Sequence, residues 1–241
     1  MANCITKHIP NTLTCCNLLS GCMAVISAFS CNAWHTLLWV IIGAAFDFCD
    51  GFSARALKAY SPLGKELDSL ADLITFGLSP AVLCWNILRT YAYPCALLGR
   101  FFPYIAFMLA AFAALRLAKF NIDDRQTTSF RGLAVPANAL FWCGLFQYNV
   151  WYTGFAAAPW ILGALIILMS LLMVSDIPMF SMKFKSLKWS DNKVRFIFLA
   201  VAVIILAAAC IFGQGRVPAR LGLSAVMVWY ILLSLLTKGQ F

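Results

Sequence analysis

Eight apolar runs, each near the roughly 20 residues a helix needs to cross a bilayer, leave this chain little to become except a bundle of membrane spans. They cover residues 13–30, 34–52, 67–88, 95–118, 133–151, 155–174, 194–212 and 217–236, with only short polar connections between them. Hydrophobic residues make up 63% of the chain and charged residues 11%, against about a quarter charged in a soluble domain. So few charges cannot cover a water-facing surface. The expected fold is therefore all-α: a polytopic integral membrane helical bundle of about eight transmembrane helices, with residues 1–241 forming a single domain and no soluble domain between spans. The fifth and sixth runs are split only by a short turn at Tyr152, Thr153 and Gly154.

The net charge of +9 reads as membrane topology rather than nucleic-acid binding. Lys7, Arg55, Lys58, Lys65, Arg116, Lys119, Arg125, Arg131, Lys183, Lys185, Lys188, Lys193, Arg195 and Lys238 fall on one side of the bundle, and only Arg89, Arg100, Arg216 and Arg220 on the other. The positive-inside bias places the richer side, with both termini, in the cytoplasm, and its loops would meet anionic lipid headgroups. The first apolar run lacks a small-residue cleavage site and reads as retained. The ten cysteines contain no Cys-x-x-Cys and no zinc spacing, and most read as small apolar side chains inside spans.

Four of the nine acids are clustered. Asp47 and Asp50 stand three apart at the cytoplasmic end of the second run, and Asp68 and Asp72 four apart at the start of the third. Each spacing puts both carboxylates on one helix face, and a short connection makes the two helices antiparallel neighbours. Four carboxylates brought together repel one another and are costly to desolvate, so a cation is expected between them. Hard oxygen donors suit Mg2+ or Mn2+, with Ca2+ as a further candidate. A pair of such ions would clamp a diphosphate. Gly51, Ala54 and Gly64 leave room for a phosphate or nucleotide beside the backbone, and Arg55 adds a bidentate cation. Ion transport would need acids deeper in the bundle, and none follows Asp72 through runs three to five, which disfavours a cation transporter.

The eight residues Asp47, Asp50, Gly51, Ala54, Arg55, Gly64, Asp68 and Asp72, at fixed spacing over 26 positions, resemble the signature of the CDP-alcohol phosphatidyltransferase family. The resemblance implies a six-helix core plus two further spans and an active site facing the cytoplasm, here in the bacterial inner membrane. It also implies a divalent metal pair held by the four aspartates, and a CDP site lined by Gly51, Ala54, Arg55 and Gly64. Asp72 would in addition be the general base that takes the acceptor's proton. A carboxylate bound to a metal is a weaker base, so that role needs a free oxygen on Asp72. Looser blocks at 10–18, 68–81, 115–121, 132–138 and 172–175 resemble the serine-accepting branch of the family. They imply CDP-diacylglycerol and L-serine as substrates, with membrane lipids as surroundings, and the family as a whole implies a homodimer. Arg116, Lys119, Asn121 and Arg131, read into the next cytoplasmic loop, are candidates to bind the acceptor or the lipid phosphate, the alternative being topology charges at a helix end. Ala134 and Lys119 stand where proline and arginine are common, which leaves glycerol 3-phosphate or inositol phosphate as alternative acceptors.

Overall fold

The first helix is inside out by the standards of a soluble protein, and that inversion sets the architecture around it. In the computed structural model, which describes residues 8–122, 130–147, 157–180, 189–212 and 221–237, α1 (His8–Phe29) buries Thr14, Asn17, Ser20, Gly21, Ala24 and Ala28. It exposes Leu19, Met23, Ile26 and Phe29. Small and polar residues face the protein because lipid already satisfies the apolar ones, and close backbone approach drives helix association in a bilayer. α1 ends at Cys31 in a left-handed conformation (φ 51°). The Asn32 N–H returns to the Ser27 carbonyl at 3.0 Å, and the Asn32 side chain caps α2 (Ala33–Ala56) by accepting from the His35 N–H at 3.1 Å. A reversal this tight makes α1 and α2 antiparallel neighbours.

A second left-handed residue, Lys58 (φ 52°), turns the chain from α2 into α3 (Pro62–Asp72). Ser61 caps α3 by accepting from the Gly64 N–H at 3.0 Å, and Pro62 occupies the first turn, where its missing N–H costs nothing. α3 runs without a break through a wide turn at Leu73–Leu78 into α4 (Ser79–Leu88), making one span of 27 residues. In that turn the Ser79 N–H reaches back five residues to the Ile74 carbonyl, the signature of a π-bulge. The next span joins α5 (Ala96–Phe101), a 3₁₀ segment at Phe102–Phe107 containing Pro103, and α6 (Met108–Ile122). Proline inside the run removes an α-type bond and accounts for the tighter turn.

The remaining described helices are α7 (Val135–Leu145), α8 (Ala158–Val174), α9 (Trp189–Phe212) and α10 (Leu221–Thr237). Among the described residues, five helical spans are long and apolar enough to cross a membrane and three shorter apolar helices accompany them, which agrees with a polytopic bundle of about eight. Two features depart from expectation. A two-residue antiparallel pair joins β1 (Phe130–Arg131) to β2 (Pro178–Met179), too short to leave an alternating pattern in the sequence. Arg195, expected in a solvated basic loop, is buried in α9, where it donates to the Asn192 side chain at 2.6 Å across a break in the helix. The turn at 152–154, Trp151, the Asp123-Asp124-Arg125 run and the cations Lys7, Lys183, Lys185, Lys188, Arg216, Arg220 and Lys238 lie outside the described residues.

Candidate active site

The last turns of α2 and the first turns of α3 meet at one end of the bundle, and there the carboxylates converge. Asp47, Asp50 and Asp68 each offer an oxygen, and these oxygens lie within 4.8 Å of one another. Oxygens on opposite sides of a divalent ion stand about 4–5 Å apart, so this spacing admits an ion. Two further details fit a cation. Asp68 Oδ1 is buried without a hydrogen-bond partner, and a buried acceptor left unpaired is costly. Asp50, only 6% exposed, has its Oδ2 occupied by the Thr14 hydroxyl at 2.6 Å, which fixes the carboxylate's orientation. Of the four aspartates expected together, Asp72 stands apart from this triad. It lies one turn further along α3, buried, and its Oδ1 accepts from the Asn17 amide at 3.0 Å.

A cavity of about 490 Å³ opens beside the triad. Its walls include Thr14, Asp50, Gly51, Ala54, Gly64, Lys65 and Asp68, so three of the four residues expected to line a nucleotide site do face one space. The fourth, Arg55, is exposed beside it, its guanidinium about 4 Å from where a side chain on Gly51 would begin. Gly64 is needed for room: a Cβ there would stand 3.0 Å from both Asn11 Oδ1 and Ser61 Oγ. Lys65, Thr14 and Asn11 were not singled out from the sequence as site residues. Lys65 is separated from the motif's acids by helical spacing that only the folded cavity makes meaningful, and its Nζ donates to the Asn121 carbonyl at 2.7 Å.

Asn17 is the residue that holds Asp72 in place. Its amide nitrogen donates to Asp72, while its Oδ1 accepts from the Thr75 hydroxyl at 2.8 Å. Thr75 sits in the wide turn directly after α3 and is fully buried. Replacing Asn17 by Ala leaves the buried Asp72 carboxylate short of a donor, while the Thr75 hydroxyl keeps the Asn17 backbone carbonyl at 3.0 Å as its acceptor. The expected cost is about 1–3 kcal/mol of stability and a fall of roughly 10–100-fold in turnover. Thermal melting and the catalytic assay described below measure both, and unchanged turnover in Asn17→Ala would remove Asn17 from the site.

The four residues expected in the next loop are divided by the structure. Arg116, Lys119 and Asn121 belong to α6, not to a loop, and Arg131 to β1. Arg116 is 8% exposed, within electrostatic reach of Asp72 and Tyr230, with its Nε unpaired. Arg116 falls inside the apolar run at 95–118, and α6 carries it into a buried setting rather than water. The Asn121 amide donates to Ser69 Oγ at 2.9 Å, tying the end of α6 to the helix that carries Asp68 and Asp72. Lys119 and Arg131 instead approach a residue the sequence reading passed over. Asp176 Oδ1 lies 3.1 Å from Lys119 Nζ and 4.0 Å from the Arg131 guanidinium. Nothing in sequence spacing links positions 119, 131 and 176; the β1–β2 pairing brings 131 to 176, and the packing of α6 on α8 brings 119 there.

The model of one protein family, CDP-alcohol phosphatidyltransferase, matches residues 7–237. The chain belongs to that family. Among its relatives, a CDP-diacylglycerol–serine O-phosphatidyltransferase of Bacillus subtilis is 34% identical over 134 residues, covering 54% of this chain and 70% of that protein. One of the same name from Helicobacter pylori is 31% identical over 201 residues, covering 82% and 81%. Another, from the archaeon Methanocaldococcus jannaschii, is 34% identical over 169 residues, covering 70% and 72%. As a member of the CDP-alcohol phosphatidyltransferase family the chain is an integral membrane protein whose aspartate cluster has the composition and spacing to take a metal ion.

Proposed function

We propose that the protein transfers the phosphatidyl group of CDP-diacylglycerol to the hydroxyl of L-serine, forming phosphatidylserine and releasing CMP. The carboxylate triad with its unpaired Asp68 oxygen, two of whose members, Asp50 and Asp68, line a cavity where two spans meet, carries the chemistry. The names of the relatives carry the acceptor. Asp47, Asp50 and Asp68, with Asp72 behind them, would hold two divalent ions, Mg2+ or Mn2+, which when bound would neutralise the diphosphate and stabilise the departing phosphate oxygen. Arg55 and Lys65 bind the diphosphate, while Gly51, Ala54 and Gly64 let the nucleotide lie against the backbone. The serine oxygen forms a bond to the lipid-side phosphorus as the bond from that phosphorus to the CMP oxygen breaks. Asp72 takes the serine proton. With Asn17 holding one of its oxygens, the other is the one assigned to that task. The basic loops favour a cytoplasmic setting for the site.

The cluster of Lys119, Arg131 and Asp176 also favours serine. Two cations and one carboxylate complement a zwitterion: the cations take its carboxylate and Asp176 its ammonium group. A phosphorylated acceptor such as glycerol 3-phosphate or inositol phosphate has no ammonium group for Asp176 to take.

The test uses detergent-purified protein with CDP-diacylglycerol and Mg2+ or Mn2+, following CMP release with L-serine, glycerol 3-phosphate and inositol phosphate offered separately. Serine-dependent release is expected, falling about 10²–10⁴-fold in Asp72→Asn. Asp176→Ala is expected to raise KM for serine roughly tenfold with little change in kcat, as loss of a charge-assisted contact to a bound ammonium would. Release driven by a phosphorylated acceptor would overturn the serine assignment, and no release with any acceptor from folded protein would overturn the transfer itself.

A further inference from the structure

At the far ends of the same spans the chain has an arrangement that the transfer reaction does not use. The span that begins with Asp68 and Asp72 ends at Leu88, and the span whose end is tied to Ser69 through Asn121 begins at Ala96. The connection between Leu88 and Ala96 therefore lies on the side of the bundle opposite the carboxylates. A cavity of about 310 Å³ opens there, lined by Trp85, Arg89, Gly99, Arg100 and Tyr104. The Arg89 guanidinium lies over the Trp85 ring at 4.6 Å. Trp85 packs in turn against Tyr104, with ring centroids 6.2 Å apart, and against Phe29 at 5.9 Å.

Two guanidiniums thus share one cavity with no counter-charge. Between Asp72 and Asp123 the sequence contains no Asp or Glu, and among the described residues neither Arg89 nor Arg100 has a carboxylate partner. Most of the chain's cations sit on the other side, so two of the few that remain here fall on one small cavity, and both are arginine. A single arginine at a membrane surface only snorkels to water. Two planar forks, that of Arg89 over Trp85 and that of Arg100 over Phe101 at 5.7 Å, on the wall of one cavity suit a tetrahedral oxyanion.

We propose that this cavity holds the phosphodiester headgroup of an anionic phospholipid in the leaflet opposite the active site. A lipid is favoured over a soluble anion by what surrounds the cavity. Tyr104 on the cavity wall is 55% exposed, and Leu97 and Phe101, beside the lining residues Gly99 and Arg100 in the sequence, are 68% and 58% exposed, an apolar surface that acyl chains would cover. Trp and Tyr at a span end belong at headgroup depth.

Native mass spectrometry of the full chain in a neutral detergent tests the proposal, with phosphatidylglycerol or phosphatidylcholine as the probe. Wild-type protein is expected to retain phosphatidylglycerol in preference to phosphatidylcholine. Arg89→Gln with Arg100→Gln should reduce that retention roughly tenfold or more, and Arg89→Lys with Arg100→Lys, which keeps the charge without the fork, should fall between. Arg55→Gln, at the carboxylate end, should leave retention unchanged. Melting without lipid checks that each variant is folded. Equal retention by wild type and the double Gln variant would overturn the site, as would loss in Arg55→Gln instead. Inorganic phosphate that displaces the lipid as well as excess phosphatidylglycerol does would overturn the lipid as occupant in favour of a free phosphate.

Discussion

Asp68→Asn is expected to lower metal-dependent CMP release by about a thousandfold, the scale seen when a group that stabilises transition-state charge is removed, while the protein stays folded. Asn keeps the shape of Asp and removes its charge. Asp68 supplies the buried, unpaired oxygen of the triad and faces Asp47 and Asp50, so without it the remaining carboxylates hold a divalent ion poorly. The same substitution should move stability in opposite directions with and without metal. In metal-free protein it relieves repulsion among crowded carboxylates, and the variant should melt above wild type. With Mg2+ or Mn2+ at about a hundred times its dissociation constant, wild type should gain about 2.7 kcal/mol by mass action and the variant far less. Melting curves with added metal and with a chelator, beside the CMP assay, separate these effects. A variant that keeps both metal-induced stabilisation and turnover would remove Asp68 from the metal site.

Gly21→Val acts from a helix that carries none of the acids. A Cβ on Gly21 would stand 2.9 Å from the backbone N and Cα of Thr75 and would also collide with its hydroxyl. Backbone cannot move aside as a flexible side chain can, so α1 must shift away from the wide turn. Overpacking of this kind typically costs about 1–3 kcal/mol. Thr75 bonds both the carbonyl and the side chain of Asn17, and Asn17 positions Asp72. A displacement near 1 Å at a reacting group can lower the rate about a hundredfold. The expected result is lower melting together with a kcat loss far larger than any change in KM. Melting and turnover that both match wild type would show that this helix contact has slack the structure does not reveal.

The carboxylate motif was legible in the sequence because its geometry is local. Spacings of three and four on two adjacent helices survive folding unchanged, so Asp47, Asp50 and Asp68 come together as expected, while the extra turn to Asp72 is a matter of depth that spacing does not set. The span pattern was legible for a similar reason, since hydropathy is a property of each segment alone. Helix starts were read too late at α1 and α3, because Pro10 and Pro62 open these helices in polar sequence ahead of the apolar runs. Asn17 and Thr75, 58 positions apart, meet only when α1 packs on the wide turn, and no periodicity marks either. Arg131 and Asp176 are likewise joined by a two-residue strand pair that has no pattern to read, and Lys119 reaches them only because α6 packs on α8. Arg116 was read as a loop cation by its charge although it falls within the apolar run at 95–118; α6 carries it inside, within electrostatic reach of Asp72 and Tyr230.

The wide turn at Leu73–Leu78 bears on more than the hydrogen bond it lengthens. A π-bulge amounts to one residue inserted into an α-helix, and one residue is about 100° of rotation about the helix axis. It works as a phase shifter within a single continuous rod. Ahead of it, the face that turns to α1 and α2 carries Asp68 and Asp72; behind it, Leu83, Ile87 and Leu88 turn to the core. Deleting one residue from the turn would leave every side chain chemically intact and still misalign the two halves, so the length of this segment is as much a part of the site as the aspartates are.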